Sequence, residues 1–151
     1  RGCRLRQGRR QDQSGQYRLL AVQYLRISVP PVPASRPRVS KWGTYYGKRH
    51  QAFRSAASAC LEQMREQGHL PDPLLSGRLS VVLVFEVKKA KTSKLDLPSG
   101  DVDNYAKIVL DLLNGVVWTD DVRVEILSIR KGFTTEEGCV HVFISEHKDD
   151  G

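Results

Sequence analysis

Between residues 79 and 87 every second residue is apolar (Leu79, Val81, Leu83, Phe85, Val87), and Val82 and Val84 between them are apolar too. A period of two predicts a strand, and apolar residues on both of its faces predict a central one. Leu25, Ile27 and Val29 alternate with Arg26 and Ser28, which predicts a first strand within 19–29 that stops at Pro30-Pro31. Two later runs, 122–130 and 140–144, are β-branched and roughly alternating. The short 134–138 connection between them suits an antiparallel hairpin.

Helical spacing replaces alternation in two stretches. Over 48–67 the apolar positions are Phe53, Ala56, Ala57, Cys60 and Met64, with Gly68 placed to end a helix. Over 104–114 they are Tyr105, Ile108, Val109 and Leu112, with Gly115 placed as the stop. Residues 31–47 are rich in proline, glycine, basic and aromatic side chains and are expected to form an irregular loop. Residues 88–100 read as a second basic loop. The order β-α-β-α-β-β predicts an α+β fold, a small mixed or antiparallel sheet with two helices packed on one face.

At 151 residues the chain is long enough for one domain with a single core. The folded domain is expected over 19–147, preceded by a basic, disordered arm over 1–18 and followed by a tail over 148–151. The arm holds six arginines and none of the apolar run that a secretory signal needs. No stretch of about 18 apolar residues suits a membrane helix, and no membrane partner is expected. Cys3, Cys60 and Cys139 form no paired motif, so neither a zinc site nor a disulfide framework is indicated, and a reducing cytoplasm is the simpler compartment. His50, His69, His141 and His147 show no ligand spacing and are left outside the site. The formal charge of +7 suits a polyanion, although solubility alone also explains a basic surface.

Arg36, Arg38 and Lys41 lie beside Trp42, Tyr45 and Tyr46, so the first loop suits phosphates and stacked bases; alternatively, it is a solvated loop anchored by Trp42 on the core. Lys88, Lys89, Lys91 and Lys94 make the second loop another nucleic-acid-binding candidate.

The chemistry concentrates at Gly100-Asp101-Val102-Asp103-Asn104-Tyr105-Ala106-Lys107. Carboxylates this close repel one another unless a cation neutralises them, and hard divalent ions take a few carboxylates supplemented by water. The plainer reading is that Asp101 and Asp103 cap the helix and favour its positive end. Lys107 falls on the same helical face as Asp103, as a helix ion pair or as a cation for a reacting phosphate. Asp120 and Asp121 follow Trp118-Thr119 just before a strand. They are either solvated turn residues or, through a short connection, carboxylates returned toward the helix. A site built from all of these would hold Mg²⁺ or Mn²⁺, activate water and shield phosphate charge, which points to phosphodiester hydrolysis.

The run from Gly100 through Asn114-Gly115 to Trp118-Thr119-Asp120-Asp121 resembles the signature of RusA-type Holliday-junction resolvases, and Val29-Pro-Pro-Val-Pro-Ala-Ser35 is similar to their opening turn. The resemblance implies a homodimeric, Mg²⁺-dependent endodeoxyribonuclease, with Mn²⁺ as substitute, that cuts four-way (branched) DNA junctions in recombination and repair in a bacterial or phage setting. By motif matching, Asp101, Asp103, Lys107 and Asp121 would be catalytic, and Asp101, Asp103 and Asp121 would hold the metal with Asp120 as a possible helper. The family often carries basic residues immediately before this motif, where this chain has Leu97-Pro98-Ser99-Gly100; Lys88 to Lys94 are expected to supply that charge. A non-catalytic binder of branched or single-stranded nucleic acid, and a nuclease acting on flaps, are the competing readings.

Overall fold

The computed structural model describes residues 9–11, 17–19 and 22–147. Two short strands, β1 (Arg9–Gln11) and β2 (Tyr17–Leu19), pair antiparallel; the rest of the expected arm and the 148–151 tail lie outside the described residues. The domain proper runs β3 (Val22–Ile27), β4 (Arg38–Ser40), β5 (Gly43–Tyr45), α1 (Lys48–Glu66), β6 (Arg78–Lys88), α2 (Val102–Leu113), a 3-10 turn at Asp121–Arg123, β7 (Val124–Thr134) and β8 (Cys139–His147). Among the described residues this is an α+β arrangement of two helices and a four-stranded mixed sheet ordered β3-β8-β6-β7.

β6 is central, as its alternation predicts, but its two neighbours differ in direction. β7 runs parallel to it and β8 antiparallel. A parallel neighbour requires a crossover that carries the chain back along the sheet, and α2 is that crossover.

The expected hairpin of the last two strands does not form, because β6 lies between them. Stepping over one strand covers about 10 Å, within reach of a four-residue link that spans up to about 14 Å. The link passes so close to β6 that a Cβ on Gly138 would lie 2.6 Å from the Glu86 carbonyl oxygen. A short connection therefore did not mean adjacent strands.

Inward residues of β6 (Leu79, Val81, Leu83, Phe85) and β8 (Val140, Val142, Ile144) meet Phe53, Ala57 and Leu61 of α1 and Tyr105, Ile108, Val109 and Leu112 of α2, all buried. Ala56, expected in the α1 stripe, is exposed, and His50 is buried in the first turn instead. Among the described residues the opposite face of the sheet is open at Tyr24, Val82 and Ile126, which are exposed there. Apolar residues on both faces of β6 therefore marked a strand with two neighbours, not one covered on both sides.

Residues 31–47 contain the β4–β5 hairpin, which the expectation of an irregular loop missed. Lys41 and Trp42 form its tip, followed by Gly43 at φ +121°, a conformation that favours glycine. Trp42 is 86% exposed, so it does not anchor this segment on the core.

Phe85 is fully buried, with its ring 5.4 Å from that of Tyr105. Phe85→Ala is expected to destabilise the fold by about 3–5 kcal/mol, measured as a lower denaturation midpoint at unchanged slope in urea.

Candidate active site

Three contacts fix the turn that leads into α2. The Tyr105 hydroxyl donates to the Ser99 carbonyl at 2.7 Å, and the Lys131 ammonium of β7 donates to the carbonyls of Pro98 and Gly100 at 2.7 and 2.6 Å. The proline segment closes over it: the Ala34 N–H donates to the Asn104 carbonyl at 2.9 Å, and a Cβ on Gly100 (φ +94°) would meet Pro33 at 3.0 Å. The sequence reading missed Lys131. Its signal was a lysine in an apolar slot of β7, after Leu127 and Ile129.

Asp101 stands at the N-cap of α2, yet its side chain makes no capping hydrogen bond. The capping alternative thus fails for Asp101. Asp103 lies in the first turn, exposed, where the helix dipole favours a carboxylate. The Lys107 ammonium lies 3.9 Å from an Asp103 carboxylate oxygen and donates to Asn104 Oδ1 at 3.3 Å. Both the ion-pair and phosphate-binding readings of Lys107 share this geometry, because an exposed pair is weak and opens readily.

After α2 the chain doubles back at Gly115 (φ +75°), whose N–H donates to the Trp118 carbonyl at 2.8 Å. Trp118 is fully buried, and its flanking backbone is held by Leu75, whose N–H donates to Val117 and whose carbonyl accepts from Thr119, both at 3.0 Å. The indole N–H donates to Asp121 Oδ1 at 2.7 Å and so orients that carboxylate. Asp120 instead accepts the Val122 N–H at 3.1 Å and caps the 3-10 turn.

Asp121 opens into a cleft of about 610 Å³ along α2, which it lines together with Arg36, His50, Asn104, Lys107 and Asp111. Asp101 and Asp103 are not in its wall; Asp103 reaches it through Lys107. The entry and exit turns of one helix thus carry the two acidic groups, with Lys107 between them. The donors are all oxygen, the ligand type of a hard divalent ion, with one Asp121 oxygen committed to Trp118; Asp101, Asp103 and Asp121 do not meet at ligand distance in this structure, so a shared ion would have to draw the two turns together.

Of the basic residues, Arg36 lines this cleft, Arg38 lies on β4, and Lys41 at the hairpin tip stands 5.1 Å from the Trp42 ring centre. Lys88 pairs with Glu137 at 3.0 Å, Lys89 lies over the Phe133 ring, and Lys91 and Lys94 are exposed in the loop between β6 and α2.

A family model described as endodeoxyribonuclease RusA matches residues 28–145. The chain belongs to the RusA endodeoxyribonuclease family. The match takes in the proline segment, both acidic turns and Lys107, and so covers every part of the cleft. No curated protein matches the chain. Among the described residues no helix is long and apolar enough to cross a membrane.

Two cleft residues of this RusA-family chain escaped the sequence reading. Asp111, one helical turn beyond Lys107, lies 3.8 Å from Arg54 of α1. His50, set aside for want of ligand spacing, is buried in the cleft wall, and its Nδ1 accepts the Ser35 N–H at 3.2 Å. That bond places the proton of the neutral ring on Nε2. Desolvation, then the Arg54 charge, lower the His50 pKa, opposed by Asp111.

A lowered histidine pKa means that the unfolded chain takes up its proton first as the pH falls. The contribution of neutral His50 is therefore complete above about pH 6.5 and is lost on acidification from there down to the folded pKa. Thermal unfolding from pH 8 to 5 is expected to show a decline below about pH 6.5 that is shallower in His50→Gln; equal slopes would contradict this assignment.

Proposed function

We propose that the protein is a metal-dependent endodeoxyribonuclease that resolves four-way DNA junctions by phosphodiester hydrolysis. The observation that carries this reading is the return of Asp121, oriented by Trp118, into the cleft that Lys107 and Asn104 share. Asp101, Asp103 and Asp121 hold Mg²⁺, with Mn²⁺ as substitute. When bound there, a hard divalent ion supplies charge neutralisation for the phosphate and a more acidic water.

The chain's own residues do the positioning. Lys107 exchanges its exposed Asp103 partner for a phosphate oxygen at little cost, because both side chains are 65% exposed. Arg36, on the cleft wall, offers a planar fork to an adjacent phosphate. Tyr105 and Lys131 hold the backbone before Asp101 in one conformation, so the first two carboxylates need little ordering when substrate arrives.

Around this centre, Arg38, Lys41 and the exposed Trp42 supply phosphate contact and a stacking surface for a base at the branch point, and Lys88, Lys89, Lys91 and Lys94 extend the basic surface. A four-way junction presents two symmetry-related strands, which a homodimer would match. The setting that follows is recombination and repair in the cytoplasm of a bacterium, by a bacterial or phage-encoded enzyme.

Labelled four-way junction, flap and linear duplex, each with Mg²⁺, Mn²⁺ or EDTA, test the reading. Paired, metal-dependent nicks in the junction are expected, abolished by Asp103→Asn with junction binding largely intact. Junction binding without cuts under every metal condition would support a non-catalytic binder, and preferential flap cleavage a nuclease with another substrate. Trp118→Phe keeps the buried ring but removes the donor to Asp121, so cleavage is expected to fall by about 10- to 100-fold in the same assay; unchanged rates would deny Asp121 its role.

A further inference from the structure

On the open face of the sheet, away from α2, three side chains of different chemistry converge on adjacent strands. Glu86 on β6 and Cys139 on β8 are direct cross-strand partners, and His141 lies two residues further along β8. His141 Nε2 lies 3.3 Å from Cys139 Sγ and 3.3 Å from Glu86 Oε1, and Cys139 Sγ lies 3.5 Å from Glu86 Oε2. Tetrahedral bonds of about 2.3 Å to sulfur and about 2.0–2.2 Å to nitrogen or oxygen set ligand atoms about 3.3–3.6 Å apart. The Cys139–His141 separation matches such an edge, each of the two reaches its own Glu86 oxygen at a similar distance, and with one atom from each residue the three donors lie within 4.8 Å of one another, so a small turn of the carboxylate completes the face.

We propose that Glu86, Cys139 and His141 form a binding site for a thiophilic divalent ion of the zinc class, separate from the aspartates around α2. A carboxylate, a thiolate and a neutral imidazole carry two negative charges, which balance a divalent ion. Thiolate and imidazole favour zinc over the magnesium that all-oxygen aspartate sites select.

The surroundings have the form of a supported site. The Tyr24 hydroxyl lies 2.6 Å from His141 Nδ1, and the two rings stack, so the phenol fixes the imidazole with Nε2 toward the cluster. Cys139 is 1% exposed, while Glu86 and His141 keep partial exposure, which leaves a route for the ion and a water as fourth ligand. Burial, then the Glu86 carboxylate, push the Cys139 thiol up, while Arg26 on the neighbouring β3 pulls it back toward thiolate. The entering ion displaces the thiol proton to solvent. Bound there, it ties β6 to β8 at the end of the sheet from which the chain leaves for the acidic turn.

The test is a titration of the full-length protein, reduced and stripped with EDTA, with Co²⁺ and then with Zn²⁺ in competition. One equivalent of Co²⁺ is expected to give a near-ultraviolet thiolate-to-cobalt band that Zn²⁺ abolishes. The band should persist in Asp103→Asn and in a Cys3→Ser/Cys60→Ser double variant, and be lost in Cys139→Ser and His141→Gln. Tyr24→Phe is expected to weaken binding about 10- to 100-fold. Circular dichroism of the metal-free variants separates loss of the site from loss of the fold. No band in the wild-type protein, or a band that survives in folded Cys139→Ser, overturns the proposal whatever the nuclease assay gives.

Discussion

The parallel pairing of β6 with β7 is the constraint on which the rest of the domain depends. Parallel neighbours cannot be joined by a tight turn, so the chain between them must travel the length of the sheet, and here α2 does so over the inner face. The two turns of this crossover become fixed points relative to the sheet. The entry turn carries Asp101 and Asp103, and the exit turn carries Asp121. The exposed face of α2 between them presents Lys107 and Asp111 along the cleft. Burial of Tyr105, Ile108, Val109 and Leu112 in the core under the sheet, with the Tyr105 ring beside Phe85 of β6, holds that face outward. Stability and site geometry therefore rest on the same packing.

Around that frame the polar contacts serve orientation more than stability. Trp118 lies in the core with its ring N–H on Asp121, and Lys131 sits in an apolar slot with its ammonium on the backbone before Asp101. Each links a rigid element to an acidic turn. Exposed ion pairs such as Lys107–Asp103 add little to folding and remain available to a ligand.

Much of this was legible in the sequence where local period decides the outcome. The 3.6 period over 104–114 and the alternation over 79–87 fixed α2 and β6 to within two residues. The D-x-D-N motif, with Lys107 and Asp121 at their spacings, marked the family to which the chain belongs. Contacts between distant segments were not legible. Strand adjacency depends on where a link can cross, so the 134–138 connection read as a hairpin although it steps over β6. His50 and Lys131 carry no motif, and their roles come from Ser35 and from the Pro98–Gly100 backbone. The Glu86–Cys139–His141 cluster joins residues 53 positions apart through one cross-strand pair, beyond any test of cysteine spacing.

In the proposed function, Asp101, Asp103 and Asp121 hold a hard divalent ion beside Lys107. Anomalous scattering from crystals of the protein grown with Mn²⁺ would locate that ion. A manganese peak is expected within about 2.0–2.6 Å of carboxylate oxygens of Asp101, Asp103 or Asp121, and is expected to be lost in Asp103→Asn. Manganese bound elsewhere, with none of these three aspartates as a ligand, would contradict that proposal.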